Sequence, residues 1–492
     1  MFSKYLVENL SYQLNNLFNS FTYLGSEYAL MLGVFLLILI ELKPSSAHKN
    51  SSIFIGIVSN LASIIFLMIT FKNIDNKGQY LFGEMLFLSD FNLKIKIIIG
   101  VIGFFTLIFF ASSSIYKEKK FPFSEWIALI LTIELGLNIL VVSQNLLSIY
   151  VSLEIVSLVS YILVAMPFKK ENAEATIKYL LFGAFTTGIT LYGMSLLYGL
   201  TGSLDMTKEV IDVNFNAVKS PLWLVAFFLT CSSLFFKIAS LPFHFWAPDV
   251  YQTGSSPLIA FLATAPKIAG AWLLMFFSNL VPLVWFPTWQ FLLSIIAIFT
   301  ITLGNLGALR QTDMKRMFAY SSIAHAGFML IPAIIGAELG NAVFLYYAVV
   351  YSLGIFGCFW LAENYYQQYQ TFEMKHLTGL GKYNAIFGIL FLVFLITLNG
   401  LPPTSGFSAK LFLFSVLWQS YTQNQLFILL VLMFVGILNT ALSLFYYLKI
   451  PYLLFIKNQE IPEKIKIRYH FFINFIFALF IFLMFFWVNL FF

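Results

Sequence analysis

From residue 25 onward, long apolar runs alternate with short polar stretches, and within the runs neither a strand-like nor a one-faced helical alternation survives. Helices that are apolar all round are buried or face lipid. A helix crossing a bilayer needs about 20 apolar residues. A window of that length places helices near 25–42, 52–71, 91–116, 122–143, 145–167, 173–200, 220–241, 255–280, 288–309, 315–336, 340–362, 383–420, 424–450 and 469–491. The expectation is an all-α polytopic membrane protein of about 14 transmembrane helices.

Two of these runs are interrupted. The stretch 383–420 is too long for one straight span and carries Gly400-Leu401-Pro402-Pro403-Thr404-Ser405-Gly406 in its middle. In 220–250, Pro242 and Pro248 bracket His244 and Trp246. Proline removes a backbone donor and breaks the helix. Inside a membrane such a break survives only where protein or water satisfies the freed groups. A broken helix in each half of a bundle points to a transport path at the breaks. Lys237 precedes the first break and Lys410 follows the second, a reversed order that suggests an inverted pair of five-helix units.

Composition agrees with the pattern. The 492 residues are 60% hydrophobic and 10% charged, with a mean hydropathy of +0.87. A soluble domain carries about 25% charged residues, so an ordinary water-facing surface is excluded, and lipid accommodates the 58 Phe. Cys231 and Cys358 lie in apolar stretches and offer neither a metal cluster nor a disulfide framework. The apolar run Tyr28–Ile40 follows a long, mostly polar stretch, which favours a retained first helix over a cleaved signal.

The net charge of +6 sits in short loops and is a topology signal, not a nucleic-acid patch. Assigning the loop lysines and arginines to alternate sides gives 18, Lys315 among them, against 7, Lys96 among them, with both termini on the poorer, non-cytoplasmic side. Three cations then remain inside spans: Lys237, Lys267 and Lys410. Glu154 lies inside the fifth span and His325 inside the tenth.

A lysine at mid-membrane costs about 2.5–3.5 kcal/mol on insertion scales. Lys237 ends an apolar run from Leu222, and Lys267 is flanked by apolar residues, so neither reads as a snorkelling interfacial residue. Burial disfavours the charged form of lysine and glutamate alike, whereas a nearby opposite charge restores it. A glutamate–lysine pair of variable separation is therefore a proton switch, and arginine cannot replace the lysine. His325 and His244 are either proton shuttles or residues bonded to a neighbouring helix. Lys178 is either a proton-uptake group or a plain cytoplasmic-side lysine, and Glu134 either a relay or a lysine partner. No nucleotide-binding loop or zinc-type spacing is present, so no nucleotide, flavin or iron–sulfur cluster is expected on this chain.

These residues resemble a known family. Phe236-Lys237-Ile238-Ala239-Ser240-Leu241-Pro242-Phe243-His244-Phe245-Trp246-Ala247-Pro248-Asp249-Val250-Tyr251-Gln252 is the most specific stretch, continued by Phe261 to Lys267. Leu153-Glu154 with Ser157-Leu158, Ile177-Lys178-Tyr179, Leu197 to Leu204, Lys315-Arg316-Met317 with Tyr320 to Gly327, and Gly400 to Lys410 extend it over roughly 120–450. Together they resemble the antiporter-like subunits of respiratory complex I (NADH:quinone oxidoreductase), in particular the bacterial N branch and its mitochondrial counterpart, NADH dehydrogenase subunit 2. Val159 stands where many relatives have proline, and Gly254-Ser255-Ser256-Pro257 departs from the usual loop. The L and M branches fit less well. M tends to have glutamate where Lys410 stands, and L has a long C-terminal lateral helix.

The resemblance implies two inverted five-helix repeats with broken helices 7 and 12. The chain would divide into an N-terminal three-helix segment (1–121), repeats at 122–280 and 281–452, and a C-terminal loop and helix (453–492). Glu154 and Lys237 would form the ion pair, Lys267 the central relay and Lys410 the exit-side lysine. FMN, iron–sulfur clusters, NADH and quinone would belong to other subunits. The neighbours would be subunit M and the small subunits K and J, in a bacterial inner membrane with both termini periplasmic. Two other function classes share features with this reading: a subunit of a stand-alone sodium/proton antiporter, and an unrelated solute carrier with broken helices.

Overall fold

A computed structural model describes residue 14 and residues 16–42, 48–74, 78–117, 121–457 and 471–487. Of the loop cations counted above, Lys4, Lys43, Lys77, Lys119, Lys120, Lys464, Lys466 and Arg468 lie outside the described residues. The spans are α1 (Gly25–Glu41), α2 (His48–Asn73), α3 (Asp90–Ser112), α4 (Phe123–Val142), α5 (Leu146–Ala165) and α6 (Lys170–Thr201). They continue as α7 (Leu222–Ile238), α8 (Ser256–Leu280), α9 (Phe286–Leu309), α10 (Met314–Ile335) and α11 (Ala337–Tyr369). The last are α12, in halves Ala385–Asn399 and Ser405–Asn424, then α13 (Phe427–Ile456) and α14 (Phe471–Phe486).

Among the described residues ten helices are long and apolar enough to cross a membrane, and α1 with its bent lead-in Asn16–Thr22 makes eleven. The remaining apolar segments, Leu222–Ile238, Ala385–Asn399 and Phe471–Phe486, are shorter. Two of these three are the leading parts of the broken helices, and a break divides one span's length between two pieces.

Capping residues set several helix starts. Asn145 accepts a hydrogen bond from the Leu147 amide at 2.9 Å, and Asp313 one from the Arg316 amide at 2.9 Å. Each satisfies a donor that the first helical turn leaves orphaned.

One compact unit comprises 1–108, 122–166 and 191–230. Here α1 packs on α2 and α4, and α4 on α5. A short hairpin, β1 (Gln79–Leu81) and β2 (Leu86–Leu88), pairs antiparallel with Gln79 opposite Leu88. Lys96 donates to Glu27 at 2.6 Å, both side chains 2% exposed. The charge pattern along the chain assigns Lys96 to the loop cations. The structure buries it two turns into α3, where the carboxylate of α1 neutralises it.

The other unit comprises 109–121, 167–190 and 231–492. Its centre is α8 and α10, each with 94% of its apolar window buried, against 28% for α13. Phe434 and Phe445 of α13 are exposed, as a lipid-facing helix requires. In this unit α9 packs on α10 and α13, and α8 on α11. Phe109 stacks on Trp360 with centroids 4.5 Å apart.

Both breaks close in the same way. The first ends at Ala239 in the left-handed conformation (φ 60°), with the Ser240 amide returning to Phe235 O at 2.9 Å. The second ends at Gly400 (φ 90°), with the Leu401 amide returning to Ile396 O at 3.0 Å. These are helix C-caps of the left-handed type, one of them built without glycine.

Candidate functional site

Each break leaves main-chain carbonyls that lipid cannot satisfy, and a side chain takes one at each. Trp246 Nε1, on the short helix Trp246–Thr253 that follows the first break, donates to Phe236 O at 3.0 Å. Lys410, in the second half of α12, donates to Asn399 O at 2.6 Å. Lys237 occupies the last turn before the first break and is 4% exposed. Its ammonium lies 5.8 Å from the ring centre of Tyr179, which stacks on Trp246 at 4.4 Å.

Lys267 follows Pro266 inside α8 and is wholly buried. It donates to Ser322 Oγ at 2.6 Å and Ser322 O at 2.9 Å, both on α10. Ser322 Oγ also meets the Tyr351 hydroxyl at 2.8 Å. Three residues on, His325 Nδ1 is 2.6 Å from the Tyr347 hydroxyl and Nε2 is 3.2 Å from that of Tyr447. Tyr447 in turn bonds Ser321. Three residues further, the Phe328 ring lies 4.9 Å beneath the Lys410 ammonium. The helical spacing of Ser322, His325 and Phe328 places them on one face of α10. That face runs from the contact of Lys267 to the contact of Lys410, with His325 between.

The other expected residues fall differently. Lys178 is 42% exposed and bridges Glu174 and Asp249, each at 2.9 Å, with Arg316 3.5 Å from Asp249. His244 lies half-buried in the turn after the first break, against Phe245. Glu154 is half-buried in α5, in the first unit, whereas Lys237, Lys267 and Lys410 belong to the second.

Sequence reading missed the tyrosines. Tyr347 and Tyr351 are one turn apart on α11 and deliver their hydroxyls to His325 and Ser322. Polar tips repeating at helical spacing in an apolar span were the available signal. The charge pattern likewise assigns Lys315 to the loop cations. In the structure Lys315 is 4% exposed and donates to Gly254 O at 2.8 Å. Nearby, buried Glu363 accepts from the Ser114 and Ser256 hydroxyls, each at 2.6 Å. Among the described residues, no group of three or more His, Cys, Asp or Glu is placed to hold a metal ion.

The arrangement thus sets two buried amines, several hydroxyls and an imidazole, groups that exchange protons, along one face of α10. The chain is 33% identical over 467 residues to "NADH-quinone oxidoreductase subunit N 2" of Sorangium cellulosum, covering 91% of each chain. It superposes with a TM-score of 0.76 and 25% identity on a chain of respiratory complex I from Thermus thermophilus, covering 94% of this chain and 96% of that one. A chain of the archaeal membrane-bound sulfane sulfur reductase shares the fold, with a TM-score of 0.82 at 20% identity over 96% of this chain and 95% of that one. The family model described as NADH:quinone oxidoreductase/Mrp antiporter, TM, matches residues 143–438, and the chain belongs to that family.

Proposed function

We propose that the chain is a proton-translocating, antiporter-like subunit of the membrane arm of an NADH:quinone oxidoreductase, coupling quinone reduction elsewhere in the complex to proton transfer across the membrane. The observation that carries this reading is the line from Lys267 through Ser322 and His325 to the contact of Lys410. A lysine at mid-membrane is costly and marks a functional site by default, and here Lys237 and Lys410 flank the breaks in two helices.

In this reading Glu154 and Lys237 form the modulating pair, Lys267 is the central relay and Lys410 the exit-side group, with Lys178, His244 and His325 as secondary members. The repeats run from 122–280 and 281–452, between an N-terminal segment 1–121 and a C-terminal segment 453–492. FMN, iron–sulfur clusters, NADH and quinone are handled by other subunits. Subunits M, K and J are the membrane neighbours, in a bacterial inner membrane with both termini periplasmic. A subunit of a stand-alone sodium/proton antiporter falls under the same family description. Copurification of quinone-reductase subunits with this chain separates the two.

The decisive variant is Lys237→Arg. Arginine keeps the charge but does not release its proton at accessible pH. The expected result is an assembled complex that loses most coupled proton pumping, close to Lys237→Ala, with Glu154→Gln also impaired. The measurement is NADH oxidation and acidification in membranes with matched subunit levels. Pumping by Lys237→Arg near the wild-type rate would leave Lys237 a fixed charge and overturn the switch.

A further inference from the structure

A second group of buried polar side chains lies in the first unit, among α2, α3 and α4. Glu134 of α4 is wholly buried, and Asn60 Nδ2 of α2 donates to its Oε2 at 2.6 Å. Its other oxygen, Oε1, has no protein partner among the described residues. Neither do Asn60 Oδ1, Ser63 Oγ, or both polar atoms of Asn138, all of them buried. Gly56 meets Ile127, Asn60 meets Glu134, and Leu67 and Val142 share one apolar cluster, so α2 and α4 run parallel. Ser63 and Asn138 therefore fall at the same level, one turn beyond the Asn60–Glu134 bond.

The third wall is glycine. A Cβ on Gly103 would stand 2.5 Å from Glu134 Oε2 and 2.8 Å from Asn60 Nδ2, and one on Gly100 would stand 3.5 Å from Oε1. The carboxyl thus occupies room that α3 leaves by carrying no side chain there. On the same face of α3, one turn before Gly100, Lys96 is bonded to Glu27. Where α5 meets Gly136 of α4, the nearest side chains are those of Ile155 and Val156. From α1 comes Glu27, already paired with Lys96, and α1 touches α4 where Gly33 meets Leu131.

An ionised carboxylate buried without a cation costs far more than a neutral acid. Buried polar groups with no protein partner are the usual hosts of internal water. A metal cation would satisfy the oxygens here but not the Asn138 amide donors, whereas water serves both.

We propose that Glu134, Asn60, Ser63 and Asn138 form a second proton-binding site, hydrated and separate from the lysine line, in which Glu134 holds the proton as a neutral acid. The site stands whether or not the lysine line pumps.

The test is infrared spectroscopy of the purified membrane complex containing the full chain, as an H2O-minus-D2O difference. A neutral buried acid gives a carbonyl band that moves on deuteration. The expected result is such a band in wild type, absent in Glu134→Gln and displaced in Asn138→Leu, which removes the water's partner. Loss of carboxylate bands in place of a carbonyl band in Glu134→Gln would show that Glu134 is ionised and overturn the proposal, as would a carbonyl region unchanged by the substitution. So would a carboxylate band that responds to sodium, since it would put a metal cation in the proton's place. Should Glu134→Gln fail to assemble, the wild-type complex is treated with dicyclohexylcarbodiimide, which adds to neutral carboxyls in apolar surroundings. An adduct on the Glu134 peptide supports the site. Its absence, where other buried carboxyls of the complex are modified, overturns it.

Discussion

The Lys410 ammonium donates to the Asn399 carbonyl at 2.6 Å, across the break in α12. One side chain is thus both the proposed relay amine and the cap of a broken helix. Lys410→Ala leaves that carbonyl unsatisfied, at about 1–3 kcal/mol. It also relieves the burial of an amine, worth about 2.5–3.5 kcal/mol on insertion scales. The two nearly cancel. Lys410→Ala is therefore expected to assemble at close to the wild-type level and to lose proton pumping. Lys410→Arg keeps a donor for the carbonyl and should lose pumping as well. Acidification assays on level-matched membranes check both, and normal pumping by either removes Lys410 from the path.

The Glu27–Lys96 pair predicts the opposite balance. Removing one partner of a buried ion pair costs about 3–5 kcal/mol, whereas replacing both with apolar residues is often neutral. Lys96→Met should sharply reduce the amount of subunit in the membrane, and the double variant Glu27→Leu, Lys96→Leu should recover much of it. Immunoblots of membrane fractions read this directly. An abundant single variant would mean that Glu27 does not depend on Lys96.

Tyr347 is the closer hydroxyl partner of His325. Tyr347→Phe removes a contact worth about 0.5–1.5 kcal/mol, which converts to a fall in rate of about 2–10-fold if that contact acts in the transferring state. Initial acidification rates should fall by that factor with subunit levels unchanged. An unaltered rate would place His325 outside the rate-determining transfer.

Lys178 is exposed and shared between two carboxylates. Exposed ion pairs contribute little to stability, because water and salt screen them. Lys178→Ala should leave assembly intact and pumping within about 2-fold of wild type, with the remaining difference fading at higher salt. A complete loss of pumping would promote Lys178 from a surface ion pair to an obligatory uptake group.

The breaks were legible because proline and glycine act locally: Pro242 and Gly400 announce an interruption whatever surrounds them. Lys237, Lys267 and Lys410 were legible because apolar residues flank them. Lys96 was not, because it lies a few residues from a span end, where a lysine that snorkels and one that turns inward share the same sequence. Its partner Glu27 is 69 residues away on α1, and only the folded chain brings the two together. The hydroxyls of Tyr347 and Tyr447 escaped for a related reason. Hydrophobicity windows count tyrosine as apolar and do not say where its oxygen goes. Glu134 could be noticed in the sequence, but the glycines that make room for it lie on another helix.

Phe328 gives the lysine line a mechanical side. A charged ammonium over an aromatic face is attracted by about 0.5–2 kcal/mol, and a neutral amine is not. The ring below Lys410 also packs on Phe414 of α12 and on Tyr347, its centroid 6.3 Å and 6.5 Å from theirs. If Lys410 gives up its charge, as the proposed relay requires, that attraction between α10 and α12 is lost beside the tyrosine that bonds His325. On the proposed path the ring would then act as a latch, its hold on Lys410 set by the charge that the lysine carries.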